Sequence, residues 1–227
     1  GHRFVRYLHD GLVYAMTLAS KEDLAMILPL PVPPNTPEDG LRFISLKEYP
    51  DFFKDLHRGF PAPAAEPTRG AKSDGPKPRA LAVVEVGDFE ASFVPTVKDF
   101  ERLDERFRLP ATPPAVNGFG FAVFKLKKGA KTVHPMAFDF PRANPAKLFF
   151  PTLHIHDGKV HPAAVFDHTL FAQNREGEQL AIHEWEESLE PASLFVKAAK
   201  AQGLVDGARH VYKLSIAGPR KNEDILV

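Results

Sequence analysis

The stretch "ALAVVEVGDFEASFVP", residues 80–95, contains the pattern on which the fold prediction depends. Two runs rich in Val and Phe flank Gly87-Asp88, and such a dipeptide accepts the positive φ angles of a two-residue turn. The stretch therefore predicts a β-hairpin with Gly87 and Asp88 at its turn.

Two further stretches have the same design. "YLHDGLVYA" (residues 7–15) and "HIHDGKVHP" (residues 154–162) share His-Asp-Gly-x-Val between runs typical of strands. In both, the backbone geometry of a turn accounts for Asp-Gly, so Asp10 and Asp157 are interpreted as turn formers rather than catalysts. The run "DLAMILPLPVPP" (residues 23–34) predicts an edge strand, because its prolines cannot donate to a ladder.

Short helices are predicted between the strands. Thr36 before Pro37, and a second start around Pro50, indicate two helices within residues 37–58. "TVKDFERLDERF" (residues 96–107) predicts a third helix with one apolar stripe, and Glu190-Pro191 opens a fourth. The predicted fold class is therefore α+β: mainly antiparallel sheet or sheets built from β-hairpins, with three or four short helices.

Residues 1–227 are interpreted as one α+β domain with a Pro/Ala-rich interruption. Residues 61–78, "PAPAAEPTRGAKSDGPKP", contain no aromatic and no β-branched aliphatic residue, so they cannot bury enough apolar surface to fix a conformation. We expect a mobile loop there, and a division at this loop if the domain has two lobes.

Composition removes several classes of function. Lys plus Arg and Asp plus Glu number 29 each, so the formal charge is zero and a nucleic-acid partner is not expected. The absence of cysteine excludes thiolate catalysis and cysteine-bound metals. No apolar run reaches the length of a transmembrane segment. The sequence has no serine-hydrolase motif, and without a Walker or dinucleotide-binding motif no nucleotide cofactor is expected. A small-molecule or protein partner is not specified.

The histidine-rich stretch at residues 153–168 is the candidate site. If Asp157 and Gly158 form the turn, His156 pairs with Lys159, Ile155 with Val160, and His154 with His161. Residues two apart share a face, so His154, His156 and His161 lie together, two of them directly opposed. Three imidazoles at this spacing are plausible ligands for a divalent metal ion: zinc, copper or iron.

Two other histidines are candidate additional ligands. His168 lies on the opposite parity from His161, so it joins the site only if Pro162 introduces a bulge. His134 would approach the hairpin from a neighbouring strand. No catalytic residue is assigned.

Two functions stay open. One is a metal-binding protein, extending to a mononuclear metalloenzyme, that uses the histidine cluster. The alternative is a non-catalytic bacterial envelope or interaction domain in which the histidines are incidental.

Several blocks resemble one bacterial family. They are "EDLAMILPLPVP", "VVEVGDFEASFVPTVKDFERLDERF" and the order "GFGFAVFKLKKG" then "HPMAFDFPRANPAKLFFP". Over roughly residues 10–152 they are similar to the uncharacterised family called domain of unknown function twenty-three thirty. The resemblance implies α+β architecture and an exported or cell-envelope localisation, and it implies no chemistry for any residue.

Overall fold

The computed structural model of the chain describes residues 2–6, 11–15, 25–60, 81–107, 118–127, 134–153, 155–156, 159–174 and 184–227. The predicted loop at 61–78 lies outside these residues. Strands dominate the described part, in the order β1 (His2–Arg6), β2 (Gly11–Ala15), β3 (Met26–Leu30), β4 (Arg42–Ser45), β5 (Val84–Val86), β6 (Phe89–Val94), β7 (Gly120–Leu126), β8 (Met136–Asp139), β9 (Phe149–Phe150), β10 (Ile155–His156), β11 (Lys159–Val160), β12 (Ala163–Gln173), β13 (Glu186–Glu187), β14 (Tyr212–Lys221) and β15 (Ile225–Leu226).

The larger sheet has seven strands in the order β13-β14-β12-β1-β2-β8-β4. All its pairs are antiparallel except one: β1 runs parallel to β12, with His2 opposite Thr169 and Arg6 opposite Gln173. The long pair β12–β14 runs from Ala163 opposite Lys221 to Ala172 opposite Tyr212. β1 therefore occupies the middle of the sheet.

The smaller sheet has four strands in the order β3-β7-β6-β5. Val86 pairs with Phe89, so Gly87 and Asp88 form the two-residue turn that the sequence predicted. Gly87 has φ +61°, a conformation that glycine adopts without steric cost. The predicted edge strand is confirmed as β3, and its Pro29 lies opposite Phe121.

The two large sheets share one hydrophobic core. Phe43 of β4 meets Phe124 of β7 edge to face, with ring centroids 5.3 Å apart, and Phe124 lies 5.7 Å from Phe138 of β8. The opposite face of the smaller sheet buries Phe121 and Val123 against Leu103 and Phe107. Both faces of β7 are thus covered, which accounts for its nearly unbroken apolar sequence.

A second cluster covers the other face of the larger sheet. The α-helix α1 (Phe52–Arg58) buries Phe52 and Leu56 in the same cluster as Phe171 of β12 and Ala137 of β8. Neighbours of these two strand residues, such as Leu170 and Phe138, point into the core between the sheets. At β8 and β12 the larger sheet therefore buries apolar side chains on both faces.

The α+β prediction is wrong: the described residues form a mainly β structure. α1 is the only α-helix among them, and it is the predicted helix near Pro50. The predicted helix at Thr36-Pro37 is a pair of turns. The Thr36 hydroxyl donates backward to the Pro33 carbonyl (2.7 Å), and the Gly40 amide closes a turn on the Pro37 carbonyl.

The third and fourth predicted helices are short 3-10 segments. At Val97–Arg102, three residues per turn align Val97, Phe100 and Leu103 with one apolar cluster. After Pro191 the segments Ala192–Leu194 and Ala198–Ala201 stand apart. Between them the Lys197 amide donates to the Tyr49 hydroxyl (2.8 Å) rather than to a helical carbonyl, and this long-range bond interrupts the helix.

The first hairpin differs from its prediction in register. β1 and β2 pair antiparallel, but Val5 lies opposite Leu12 and Gly11 pairs with Asp139 of β8. Gly11 is therefore part of a strand, so Asp10-Gly11 is not a two-residue turn. Residues 7–10 lie outside the described residues. The pairing of β2 with both β1 and β8 sets this register, and the dipeptide alone gives no sign of it.

Candidate functional site

The histidine hairpin has the predicted register in its described part. β10 pairs with β11 antiparallel, with Ile155 opposite Val160 and His156 opposite Lys159. The predicted turn residues, Asp157 and Gly158, lie outside the described residues. The two strands form a small sheet of their own, separate from both large sheets.

The first leg of the hairpin is tied at its base to the C-terminal part of the chain. The amides of Thr152 and Leu153 both donate to one carboxylate oxygen, Oδ1 of Asp224, at 2.8 Å. The buried Thr152 hydroxyl donates to the Glu223 carbonyl at 2.9 Å. The leg is therefore fixed immediately before His154.

The second leg is tied to the same segment. The Asn222 side-chain amide donates to the His161 carbonyl, and the Asn222 backbone amide donates to the Pro162 carbonyl, both at 3.0 Å. Residues Asn222–Asp224, which we call the base clamp, thus hold both legs of the hairpin.

His161 lies where the chain leaves the small sheet. Its side chain is exposed, and after a bend at Pro162 the chain enters β12 of the larger sheet. His161 therefore lies between the two sheets, after β11 and before β12, whereas His168 lies within β12 of the larger sheet. The predicted bulge at Pro162 within one strand is thus wrong, because a bend separates two strands there.

His168 lies in β12 opposite Ile216 and is buried. Its ring meets that of Phe166 edge to face, with centroids 5.4 Å apart, and Nδ1 lies 2.7 Å from the Asp167 carbonyl. A carbonyl only accepts, so Nδ1 carries the proton. His168 thus packs beside the core residue Phe166.

His134 supports the Gly87-Asp88 turn. Nδ1 lies 2.9 Å from the Pro135 carbonyl and must donate to it, while Nε2 accepts the Asp88 amide at 2.9 Å. Both nitrogens are engaged, which leaves no lone pair for a metal ion. Burial, the largest effect, lowers the pKa of His134, and the Pro135 carbonyl acts in the opposite direction. The neutral ring is the form that this contact requires.

His134 and His168 are also placed apart. β8, which follows His134, is separated from β12 by β1 and β2. Three strand spacings amount to about 14 Å. Nitrogens that share one zinc ion lie within about 4 Å of each other. These two imidazoles therefore do not meet in one site.

The described residues contain no group of three or more His, Asp or Glu side chains that would hold a metal ion. His154 and the side chain of His156 lie outside the described residues. The three-histidine site is therefore still a prediction. Within the same described ranges, no helix is long and apolar enough to cross a membrane.

A buried polar cluster was missed from the sequence. Asp55 of α1 is 4% exposed and accepts the Tyr49 hydroxyl at 2.9 Å. Arg58 Nη1 lies 3.1 Å and Lys197 Nζ 3.5 Å from its carboxylate. Burial, assisted by Asp55, raises the pKa of Tyr49, while the Lys197 amide opposes the shift. The two cations offset the charge of Asp55 where α1 meets the segment after Pro191.

One sequence signal pointed to part of this cluster. Asp55 lies between the buried residues Phe53 and Leu56, and Arg58 follows at the i+3 position typical of a helical ion pair. The Lys197 partner has no local signal, because its amide is 148 positions from the Tyr49 hydroxyl.

Comparisons of the chain with protein-family models, curated proteins and solved structures gave no significant match. The resemblance over residues 10–152, and the localisation that it implies, stay predictions.

Proposed function

We propose that the protein binds a divalent metal ion, zinc, copper or iron, through His154, His156 and His161 of the histidine hairpin. The observation that carries the proposal is the pairing of Ile155 with Val160 and His156 with Lys159. A ladder in this register, if continued by one residue, would bring His154 opposite His161. A slip of one residue would distribute the same imidazoles over both faces.

The position of the hairpin supports the proposal as well. The hairpin forms a separate small sheet, and the side chain of His161 is exposed, so an ion can approach from solvent. The engagement of both His134 nitrogens favours a set of three protein ligands. Three histidines leave a fourth position for water, the arrangement typical of catalytic zinc sites. A mononuclear metalloenzyme is therefore the extended form of the proposal.

The test is zinc affinity measured by chelator competition at pH 7.5, on protein without a histidine tag. We expect His161→Ala to weaken zinc binding by at least about tenfold, since the loss of outer-shell partners alone costs about 10–100-fold. The matched control is Lys159→Ala, which lies in the same hairpin and removes no imidazole. Equal zinc affinity of His161→Ala and the parent would reject the site.

Proton competition gives a second readout. Metal-binding imidazoles must be neutral, and a free imidazole has a pKa of about 6.5. Zinc should therefore raise the melting temperature at pH 7.5 and lose that effect as the pH falls to about 5. His161→Ala should lose most of the zinc-dependent rise at pH 7.5 while its apo melting temperature stays close to that of the parent.

The alternative proposal is a non-catalytic interaction domain. Leu189 and Leu194, which are 79% and 67% exposed on either side of Pro191, are the observation that favours it. Absence of zinc binding by the parent would favour this alternative.

A further inference from the structure

The base clamp connects two strands, β14 and β15, that pair with the strands on either side of the histidine hairpin. The first leg follows β9, which pairs with β15 through Phe150 and Ile225. The second leg leads into β12, which pairs with β14 through Ala163 and Lys221. Residues 222–224 connect β14 to β15. The hairpin and the clamp are therefore two connections between the same two strand pairs.

The base clamp accepts hydrogen bonds from the first leg of the hairpin and donates hydrogen bonds to the second. Asp224 and the Glu223 carbonyl accept from the first leg, through two backbone amides and the Thr152 hydroxyl. Asn222 donates to two carbonyls of the second leg. Thr152 is 1% and Asn222 7% exposed, so water competes little for these bonds.

The clamped residues adjoin the proposed ligands. Leu153 directly precedes His154, and the carbonyl held by Asn222 belongs to His161 itself. Ligands held in place before the ion arrives lose less conformational entropy on binding, and so bind more tightly.

We infer that Asn222 and Asp224 are positioning residues that fix the separation of the two legs and thereby set the affinity of the histidine hairpin for a divalent metal ion. This inference rests on the proposed function for its ligand, whereas the holding of the legs is independent of that function.

The zinc experiment uses the full chain and four variants. Asp224→Ala removes the acceptor of two amides, and Asn222→Ala removes the donor to His161. Asp224→Asn keeps an oxygen at the same place, and Glu223→Gln changes only a side chain whose partner is the exposed Lys221. Chelator competition at pH 7.5 should show zinc binding about tenfold weaker for either alanine variant. Asp224→Asn should recover most of the loss, and Glu223→Gln should match the parent.

Hydrogen exchange of the apo proteins tests the clamp without metal. In Asp224→Ala the amides of Thr152, Leu153 and the hairpin up to Val160 should exchange faster, and Asp224→Asn should restore protection. Unchanged exchange in Asp224→Ala would overturn the clamp whether or not zinc binds. If Asp224→Ala does not fold, Asn222→Ala supplies the same comparison for the amides of the hairpin.

The two proposals fail in different ways. A parent that binds zinc no better than His161→Ala rejects the proposed function, and the exchange result then decides the clamp alone. A parent that binds zinc through His161 with an affinity that neither alanine variant lowers overturns the positioning role.

Discussion

In the Gly87-Asp88 hairpin and in the histidine hairpin two residues separate the paired strands, but the two hairpins are stabilised in different ways. β6 buries Phe89, Ala91 and Phe93, and its turn rests on His134. Among the strands that the structure describes, β10 and β11 pair with each other and with no third strand, and the base clamp holds their legs. The Gly87-Asp88 hairpin is part of the core, whereas the histidine hairpin is anchored at its base. A two-residue turn thus specifies a hairpin and leaves its role open.

The largest expected effect on stability is at the turn of the Gly87-Asp88 hairpin. An alanine Cβ at Gly87 would lie 2.3 Å from His134 Nε2 and 2.8 Å from Ser45 Oγ, at a φ of +61°. Strain and overpacking together should lower the free energy of unfolding by about 3 kcal/mol or more. Urea denaturation measures the loss.

Gly118 is the matched control for Gly87. It has φ +79°, and apart from its chain neighbours no atom of the described residues lies within 4 Å of a Cβ built there. Gly118→Ala should cost about 1 kcal/mol, from backbone strain alone. If Gly87→Ala cost no more than Gly118→Ala, the close approach of His134 and Ser45 to Gly87 would place no steric constraint on the turn.

His134 comes second. His134→Leu leaves the Asp88 amide without its acceptor and should cost about 2 kcal/mol at pH 7.5. The pKa of His134 is lowered in the folded state, so below about pH 6.5 the unfolded chain takes up the proton first and stability falls. The loss should continue until the pH reaches the folded pKa.

Measurements at two pH values separate the titration of His134 from the effects of other charged and titratable groups. Asp88 and Lys47 face the His134 ring with opposite charges that partly cancel, and burial followed by Lys213 lowers the pKa of His57 in the same direction. Between pH 7.5 and 5.5 the free energy of unfolding, measured with urea, should therefore fall less in His134→Leu than in the parent. Adding His57→Gln should reduce the fall further. An undiminished decrease in His134→Leu would contradict the assignment.

The third effect concerns the base of the histidine hairpin. Thr152→Val removes the hydroxyl bonded to the Glu223 carbonyl and should lower the free energy of unfolding by about 1 kcal/mol. Thr152→Ser keeps the hydroxyl and should lose less. A valine variant as stable as the parent would show that the hydroxyl contributes no net stability.

The smallest effect on stability is expected for a surface ion pair at the Gly87-Asp88 turn. Lys47 Nζ lies 3.3 Å from Asp88 Oδ1, and the lysine side chain is 56% exposed. Lys47→Met should change the free energy of unfolding by less than about 0.5 kcal/mol, because water and salt screen such pairs. A loss above about 1 kcal/mol would assign the stability of the turn to charge rather than to the His134 contact.

The sequence predicted those features that depend on neighbouring residues. Gly87-Asp88 supplies its own turn geometry, and Pro29 shows that its strand lies at an edge. The register of β2 escaped prediction because β8 determines it as much as the local dipeptide does. The same reason explains the interrupted helix after Pro191, where the Tyr49 hydroxyl, 148 positions away, takes the Lys197 amide.

In the candidate site, too, the features set by neighbouring residues were predicted and those set by distant residues were not. The pairing of His156 with Lys159 followed from the two residues between them. The hold of Asp224 on Thr152 joins residues 72 positions apart, and no local pattern announces it. His134 was expected to turn toward the hairpin, yet its acceptor nitrogen is used by Asp88, 46 positions earlier.

The central position of β1 has a consequence for how the chain folds. β1 lies between β12 and β2, and its parallel partner β12 is separated from it by most of the sequence. A nascent chain can form the β1–β2 hairpin early, but one edge of β1 stays without β12 until residues 163–173 have been synthesised. Closing so long a loop is slow, and during that time the open edge can pair with another chain. Conditions that speed the pairing of β1 with β12 should therefore raise the yield of correctly folded protein.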